Sequence, residues 1–314
     1  MSKPKARRKT KSTSRRRHVE NVIVASGLTK RFGDLVAVND LDLEVHRGEV
    51  FGYLGPNGAG KSTTIRMLLD FIRPTSGSYS ILGGTGADIE IRSRIGYLPG
   101  ELLFDPKYTT RDVIDFYGGL RGGIDEGYLD ELLERFAVDP TRPIGQLSSG
   151  NKRKVAIVQA FMHDPELYLL DEPTQGLDPL LQQEFQALVK ERVENGATVL
   201  LSSHVLPEVE SLADRVAILR RGSLVAIAGI HELQRRARQR IELHIAGQAS
   251  VRPFEQLPNV ADASRAGNII NIVVEGPVDA VIKEAAKLNV RRIITKETDL
   301  EDVFLDLYRE EEEE

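Results

Sequence analysis

One nine-residue segment constrains this chain more than any other: Gly55-Pro56-Asn57-Gly58-Ala59-Gly60-Lys61-Ser62-Thr63. A Gly-x-x-x-x-Gly-Lys-Ser run is built to wrap the phosphates of a nucleoside triphosphate. Its glycines let backbone N–H groups crowd inward without a Cβ clash, and the helix that follows adds a partial positive charge. The apolar run Val50-Phe51-Gly52-Tyr53-Leu54 leads in as a strand, and an amphipathic run from Ser62 to Ile72 leads out as a helix. In that setting Lys61 reaches the β- and γ-phosphates, and the Ser62 hydroxyl is placed to ligate Mg²⁺.

Elsewhere hydrophobic periodicity predicts alternating α/β structure. Strand-like stretches at 22–24, 35–38 and 41–45 precede the loop, and short strands at 78–82 and 95–98 follow it. From about 109 to 163 the pattern turns helical, and Thr109-Thr110-Arg111-Asp112 reads as a capping box with Asp in place of Glu or Gln. Alternation then resumes: strand 167–170, helix 179–193, strand 198–201, helix 206–212, strand 216–219. The expected architecture is a mixed, mainly parallel sheet core with antiparallel N-terminal strands and a helical insertion at about 100–163. After a basic helical linker at 235–240, strands at 241–245, 269–274 and 292–295 and helices at 278–288 and 300–307 suggest a small α+β domain. The expected divisions are a basic tail 1–20, a core unit 21–236, an accessory unit 237–309 and an acidic tail 310–314.

Charge and composition narrow the class. Residues 1–18 carry nine Lys or Arg and no acid, so the net charge of −5 conceals a markedly acidic remainder. A tail of this kind is either a solvated solubility segment or a contact for anionic lipid or RNA. The chain has no cysteine, which excludes disulfides and thiolate metal sites and suits a cytoplasmic location. No stretch approaches the 18–20 apolar residues of a membrane helix, and no apolar segment follows the basic residues as in a secretory signal.

Three further segments bear on chemistry. The apolar strand Leu167-Tyr168-Leu169-Leu170 ends in Asp171-Glu172. Phosphoryl transfer to water needs one carboxylate for the metal shell, suiting Asp171, and one for the attacking water, suiting Glu172. Leu147-Ser148-Ser149-Gly150-Asn151 opens a helix, as a plain N-cap or as a second anion site. His204 stands alone at a strand end, where a histidine is commonly structural or simply exposed.

In this order, the set resembles the nucleotide-binding subunit of ATP-binding cassette transporters over about residues 22–230. The resemblance implies a P-loop NTPase cassette with ATP and Mg²⁺ as ligands. Residues 55–63 match the phosphate loop, Leu147 to Asn151 the signature motif, and 167–172 the metal-site strand with its catalytic glutamate. Gly176-Leu177-Asp178-Pro179 matches the dimer-interface loop and His204 the switch histidine, while Phe32 takes the place of the adenine platform. It implies that two subunits pair head to tail, each ATP lying between Lys61 of one and Ser148 and Gly150 of the other. Asp178 then communicates across the interface, and Lys61, Glu172 and His204 carry hydrolysis.

There are two departures. The signature carries Ser149 and Asn151 where the family has Gly and Gln. Where the family has a metal-contacting glutamine, this chain has Gly100-Glu101, leaving Glu101 as the candidate ligand beside Ser62 and Asp171. The C-terminal segment 297–305 resembles the small domain appended to ATPase subunits of bacterial and archaeal exporters of drugs, antibiotics, lipids or polysaccharides. That reading implies a separate permease, docked near Phe104, Tyr108 and Phe116, and a location on the inner face of the cell membrane. The rival reading is a soluble cassette ATPase acting on nucleic acid or ribosomes. The basic tail favours it; the lack of a second cassette or a long coiled-coil insertion disfavours it.

Overall fold

The computed structural model describes residues 20–236, 238–247 and 249–297. The basic tail 1–18, the helix expected at 300–307 and the acidic tail 310–314 lie outside the described residues.

The chain begins with a long hairpin, β1 (Asn21–Phe32) and β2 (Leu35–His46), then β3 (Val50–Leu54), the phosphate loop and α1 (Lys61–Leu68). There follow β4 (Ser76–Ile81), α2 (Ile89–Ser93), β5 (Ile95–Leu98), α3 (Thr110–Gly119), α4 (Glu126–Arg135) and α5 (Ser149–Phe161). Next come β6 (Leu167–Asp171), α6 (Pro179–Glu194), β7 (Thr198–Ser203), α7 (Leu206–Leu212), β8 (Arg215–Arg220), β9 (Ser223–Gly229) and α8 (Ile230–Arg236). The last stretch holds β10 (Arg238–Ile245), α9 (Arg252–Glu255), β11 (Val260–Ala266), β12 (Ile269–Glu275), α10 (Asp279–Ala285) and β13 (Val290–Glu297).

The central sheet has the order β5-β6-β7-β3-β8-β9. Its first five strands are parallel and β9 closes the edge antiparallel to β8. Every residue of β3, β6 and β7 is buried, as expected for strands covered on both faces. Alternation along each strand sorts the two faces. Val50, Leu54, Leu170 and Leu201 share one apolar cluster with Phe161, Phe185 and Leu188 from the helices. Phe51, Tyr53, Leu169 and Leu200 share another with Ile65 of α1 and Ile23, Leu41 and Leu43 of the N-terminal hairpin. That hairpin belongs to a second, antiparallel sheet of order β2-β1-β4. The core is therefore helices on one face and an antiparallel sheet plus α1 on the other, a mixed α/β fold as expected.

Strands between Arg238 and Glu297 make a third sheet, β11-β12-β10-β13, entirely antiparallel. It has its own apolar cluster, in which Ile241, Leu243, Ile270 and Ile272 pack with Phe254 and Val281.

Several local expectations need correction. The stretches at 35–38 and 41–45 are one strand, because the break between them is absorbed as a bulge at Asn39-Asp40, with Asp40 at φ 48. Helix α1 stops at Leu68 rather than Ile72, since Asp70 turns into the left-handed region at φ 57. The basic linker is not helical throughout: the helix ends at Arg236 and Arg238 already pairs with Glu275 in the sheet. The capping box is present, with the Thr109 side chain accepting from Asp112 N and Asp112 accepting from Thr109 N. Among the described residues no helix is long and apolar enough to cross a membrane.

Candidate functional site

Parallel α/β sheets bind ligands beyond the carboxyl ends of their strands, and the phosphate loop, Asp171, Glu172 and His204 gather there. The phosphate loop follows β3, Asp171 and Glu172 end β6, and His204 follows β7. Between β3, β6 and β7 the pairing is in register, Leu54 facing Ser203 and Asp171 facing Ser202. The three strand ends are thereby level.

The loop itself is shaped by close approach. Gly60 sits at φ 100, and a Cβ there would lie 2.4 Å from the Ala37 carbonyl oxygen, so only glycine fits. The Thr64 hydroxyl donates to Gly60 O and accepts from the buried Tyr53 hydroxyl, each at 3.1 Å, which pins the first turn of α1 to β3. A cleft of about 550 Å³ opens over this turn. It is lined by Phe32, Leu35, Val36 and Ala37 together with Asn57 to Thr63, Glu172 and Arg221. Gly55 and Pro56 are not among its lining residues; their carbonyls accept from Lys61.

Lys61 is buried, and its ammonium donates to Gly55 O at 2.6 Å and Pro56 O at 3.3 Å. It also forms a 3.3 Å ion pair with Glu172 Oε1. The other Glu172 oxygen, Oε2, is 2.8 Å from His204 Nδ1. One carboxylate therefore bridges the loop lysine and the histidine. Glu172 holds this position at φ 49, a left-handed conformation that costs a non-glycine residue roughly 1–3 kcal/mol and is typical of functional sites.

Asp171 is fully buried behind it. Ser202 Oγ donates to Asp171 Oδ1 at 2.5 Å and accepts from Glu172 N at 3.2 Å. One hydroxyl thus fixes both acids. Sequence reasoning passed over Ser202; the signal was its place two residues before His204 on the neighbouring strand.

Arg153 is a second residue that went unremarked. It is buried on the first turns of α5, five residues after Ser148. Its guanidinium donates to Pro99 O at 2.9 Å, Gly100 O at 2.8 Å and Gln175 Oε1 at 3.3 Å. Burial lowers its pKa, opposed by Asp171 and Glu172, whose charges favour the cation. It ties the signature helix to the loops after β5 and β6. In the first of these loops, a Cβ at Gly100 would sit 3.0 Å from Asp171 Oδ2, while Glu101 is exposed. The main chain at Gly100 thus borders the buried acid, and the Glu101 side chain lies one residue farther on.

The remaining predicted residues do not line the cleft. Ser148 is exposed and caps α5 by accepting from Asn151 N; Asp178 is exposed and caps α6 by accepting from Leu180 N and Leu181 N. Gly150 packs on Gly176, where a Cβ would meet Gly176 O at 2.7 Å. The segments 147–151 and 176–179 are therefore in contact with each other, away from the residues that line the cleft.

Known proteins match this arrangement. The family model for ABC transporters matches residues 38–175. The bacitracin transport ATP-binding protein BcrA of Enterococcus faecalis is 33% identical over 295 residues, covering 91% of this chain and 96% of that protein. The Nod factor export ATP-binding protein I of Cupriavidus pinatubonensis is 36% identical over 211 residues, 65% of each chain. A solved ATP-binding subunit of an ABC transporter superposes with a TM-score of 0.63 at 30% identity, covering 68% of this chain and 92% of that one. The chain belongs to the ABC transporter family, as an ATP-binding, ATP-hydrolysing subunit.

Proposed function

We propose that this chain powers an exporter by closing on ATP as a pair with a second cassette subunit, driving a separate membrane permease. The observation that carries this reading is the division of the site. Lys61 and Glu172 line the cleft, whereas Ser148, exposed at the start of α5, and half-buried Gly150 lie outside it. A second copy arranged head to tail supplies the missing half.

In this reading the adenine stacks on Phe32, which stands 48% exposed at the cleft edge. The phosphates lie in the loop from Gly55 to Thr63. Arrival of the polyphosphate gives Lys61 a new anion, freeing Glu172 from the ion pair seen here. Glu172 then accepts the proton of the water that attacks the γ-phosphorus, and His204 holds the γ-phosphate. Asp178 reports across the paired interface.

Among the described residues no group of three or more His, Cys, Asp or Glu converges as a metal site. That suits Mg²⁺, which takes one or two carboxylates and otherwise phosphate oxygens and water. Ser62 and Asp171 offer the right oxygen donors, since Ser202 occupies only one oxygen of Asp171. Glu101 is the further candidate ligand on the Gly100 side. When bound, the ion neutralises charge developing on the transferred phosphoryl group.

The export reading rests on relatives described as acting in bacitracin transport and Nod factor export. The separate antiparallel sheet β11-β12-β10-β13 with its own apolar cluster supports a division into a cassette at 21–236 and an accessory unit at 237–309. The exposed side chains of Tyr108 and Phe116, with half-buried Phe104 nearby, offer an apolar surface for the permease. We place the protein peripherally at the inner face of the membrane, with the basic tail toward anionic lipid.

Affinity purification from native membranes tests the reading. A co-purifying permease with about six apolar spans is expected. Co-purification of ribosomes or nucleic acid in its place would favour the soluble ATPase.

A further inference from the structure

Strand β8 runs parallel to β3 and reaches the cleft beside the phosphate loop: Ile218 pairs with Leu54, and a Cβ on Gly55 would lie 2.6 Å from Leu219 O. The chain then reverses through only two residues, Arg221 and Gly222, before β9. Both have positive φ, 49 and 87. A two-residue hairpin of this hand favours Asn, Asp or Gly at its first position. Arginine there is out of place: the left-handed conformation costs a residue with a side chain roughly 1–2 kcal/mol.

The turn is nevertheless held firmly. Gly222 O accepts from Asn39 N at 2.8 Å, and Ser223 Oγ accepts from Asn39 Nδ2 at 3.4 Å. A Cβ on Gly222 would meet Ala37 O at 2.9 Å, the same oxygen that closes on Gly60 of the phosphate loop. The backbone carrying Arg221 is thus seated, through Ala37, on the loop that wraps the phosphates. Its side chain is exposed and lines the cleft.

The cleft's other cation, Lys61, is already engaged by two carbonyls and Glu172. Among the described residues, Arg221 has no hydrogen-bond or ion-pair partner. An uncommitted guanidinium at a phosphate cleft, kept there against the turn's own preference, points to an anionic ligand. We propose that Arg221 is a further nucleotide-binding residue, its guanidinium contacting the polyphosphate of ATP. It adds to Lys61 from a different strand connection and favours nucleotides with more phosphate charge.

The test is calorimetric binding of ATP, ADP and AMP to the full chain in EDTA, where no hydrolysis occurs. Arg221→Ala should weaken ATP about tenfold, ADP less, and AMP by less than about twofold. Arg221→Lys should recover part of the loss. Arg221→Asn relieves the turn, so its thermal midpoint should equal or exceed that of the parent while ATP affinity still falls. Unchanged ATP affinity in Arg221→Ala, or AMP weakened as much as ATP, overturns the proposal. So does an Arg221→Asn variant that melts lower yet binds normally, since Arg221 would then be structural. Lys61→Ala separates this from the cleft assignment. If that variant binds ATP normally, the cleft itself is wrong; if it fails while Arg221→Ala binds normally, only the role of Arg221 is lost.

Discussion

The phosphate loop and the signature segment are both helix N-termini, yet they are built in opposite ways. At the first, Lys61 and Asp171 are buried, Glu172 is largely so, and these groups and His204 are joined by a short network of hydrogen bonds and ion pairs. At the second, Ser148 and Asp178 are exposed and do no more than cap α5 and α6. The first half of the site is finished within one chain. The second is held in place at the surface, and in the proposed pairing its ligand lies on another chain. A buried, mutually bonded cluster signals chemistry that must be preorganised; an exposed, rigidly mounted turn signals a surface awaiting its complement.

Substitutions can break that contrast. Lys61→Ala should have the largest effect, because it removes the buried cation from the phosphate site and leaves Glu172 facing His204 alone. ATP affinity of the single chain should fall about a hundredfold or more, measured by equilibrium binding. Near-normal binding would mean that the first half is not the nucleotide site. Gly150→Val places a side chain against Gly176 O and so should displace the signature turn. A misplacement of about 1 Å can cost roughly a hundredfold in rate, so ATPase activity should fall by that order while single-chain ATP affinity stays within about twofold. A parallel loss of binding would merge the two halves into one.

Arg153→Gln tests the tie between them. It strips donors from Pro99 O and Gly100 O, which should lower stability by about 1–3 kcal/mol and turnover about tenfold. If stability falls in urea titrations and turnover per folded molecule does not, Arg153 holds the fold and does not position the site. Smallest is Ser148→Ala, which should cost about 1 kcal/mol of stability through the lost cap, with single-chain ATP affinity unchanged.

The first half was legible in the sequence because its chemistry is local. Nine consecutive residues specify the loop, and an apolar strand ending in two acids specifies Asp171 and Glu172. The fully buried strand β3 and the first four residues of β6 are unbroken apolar runs, and β7 shows as the shorter run Val199-Leu200-Leu201. What escaped depends on contacts distant in sequence. Ser202 matters because β7 lies beside β6, and Arg153 because α5 packs under the loop after β5. Arg221 sits in a turn whose importance comes from Ala37. Strands β9 and β11 were missed for a related reason. β9 is half-buried throughout, and β11 is rich in alanine and polar residues, so neither shows clean alternation of buried and exposed positions. The hairpin β1–β2 shows only as fragments in the sequence because its bulges interrupt the period of two.

The central claim is that one chain carries only half of each hydrolytic site. Glu172→Gln keeps the phosphate loop and removes the carboxylate proposed to accept the water's proton, so ATP should bind without being consumed. Run on a sizing column with ATP and Mg²⁺, this variant should elute as a dimer, and as a monomer when ATP is left out. A variant that binds ATP and stays monomeric at every protein concentration tested would contradict the account.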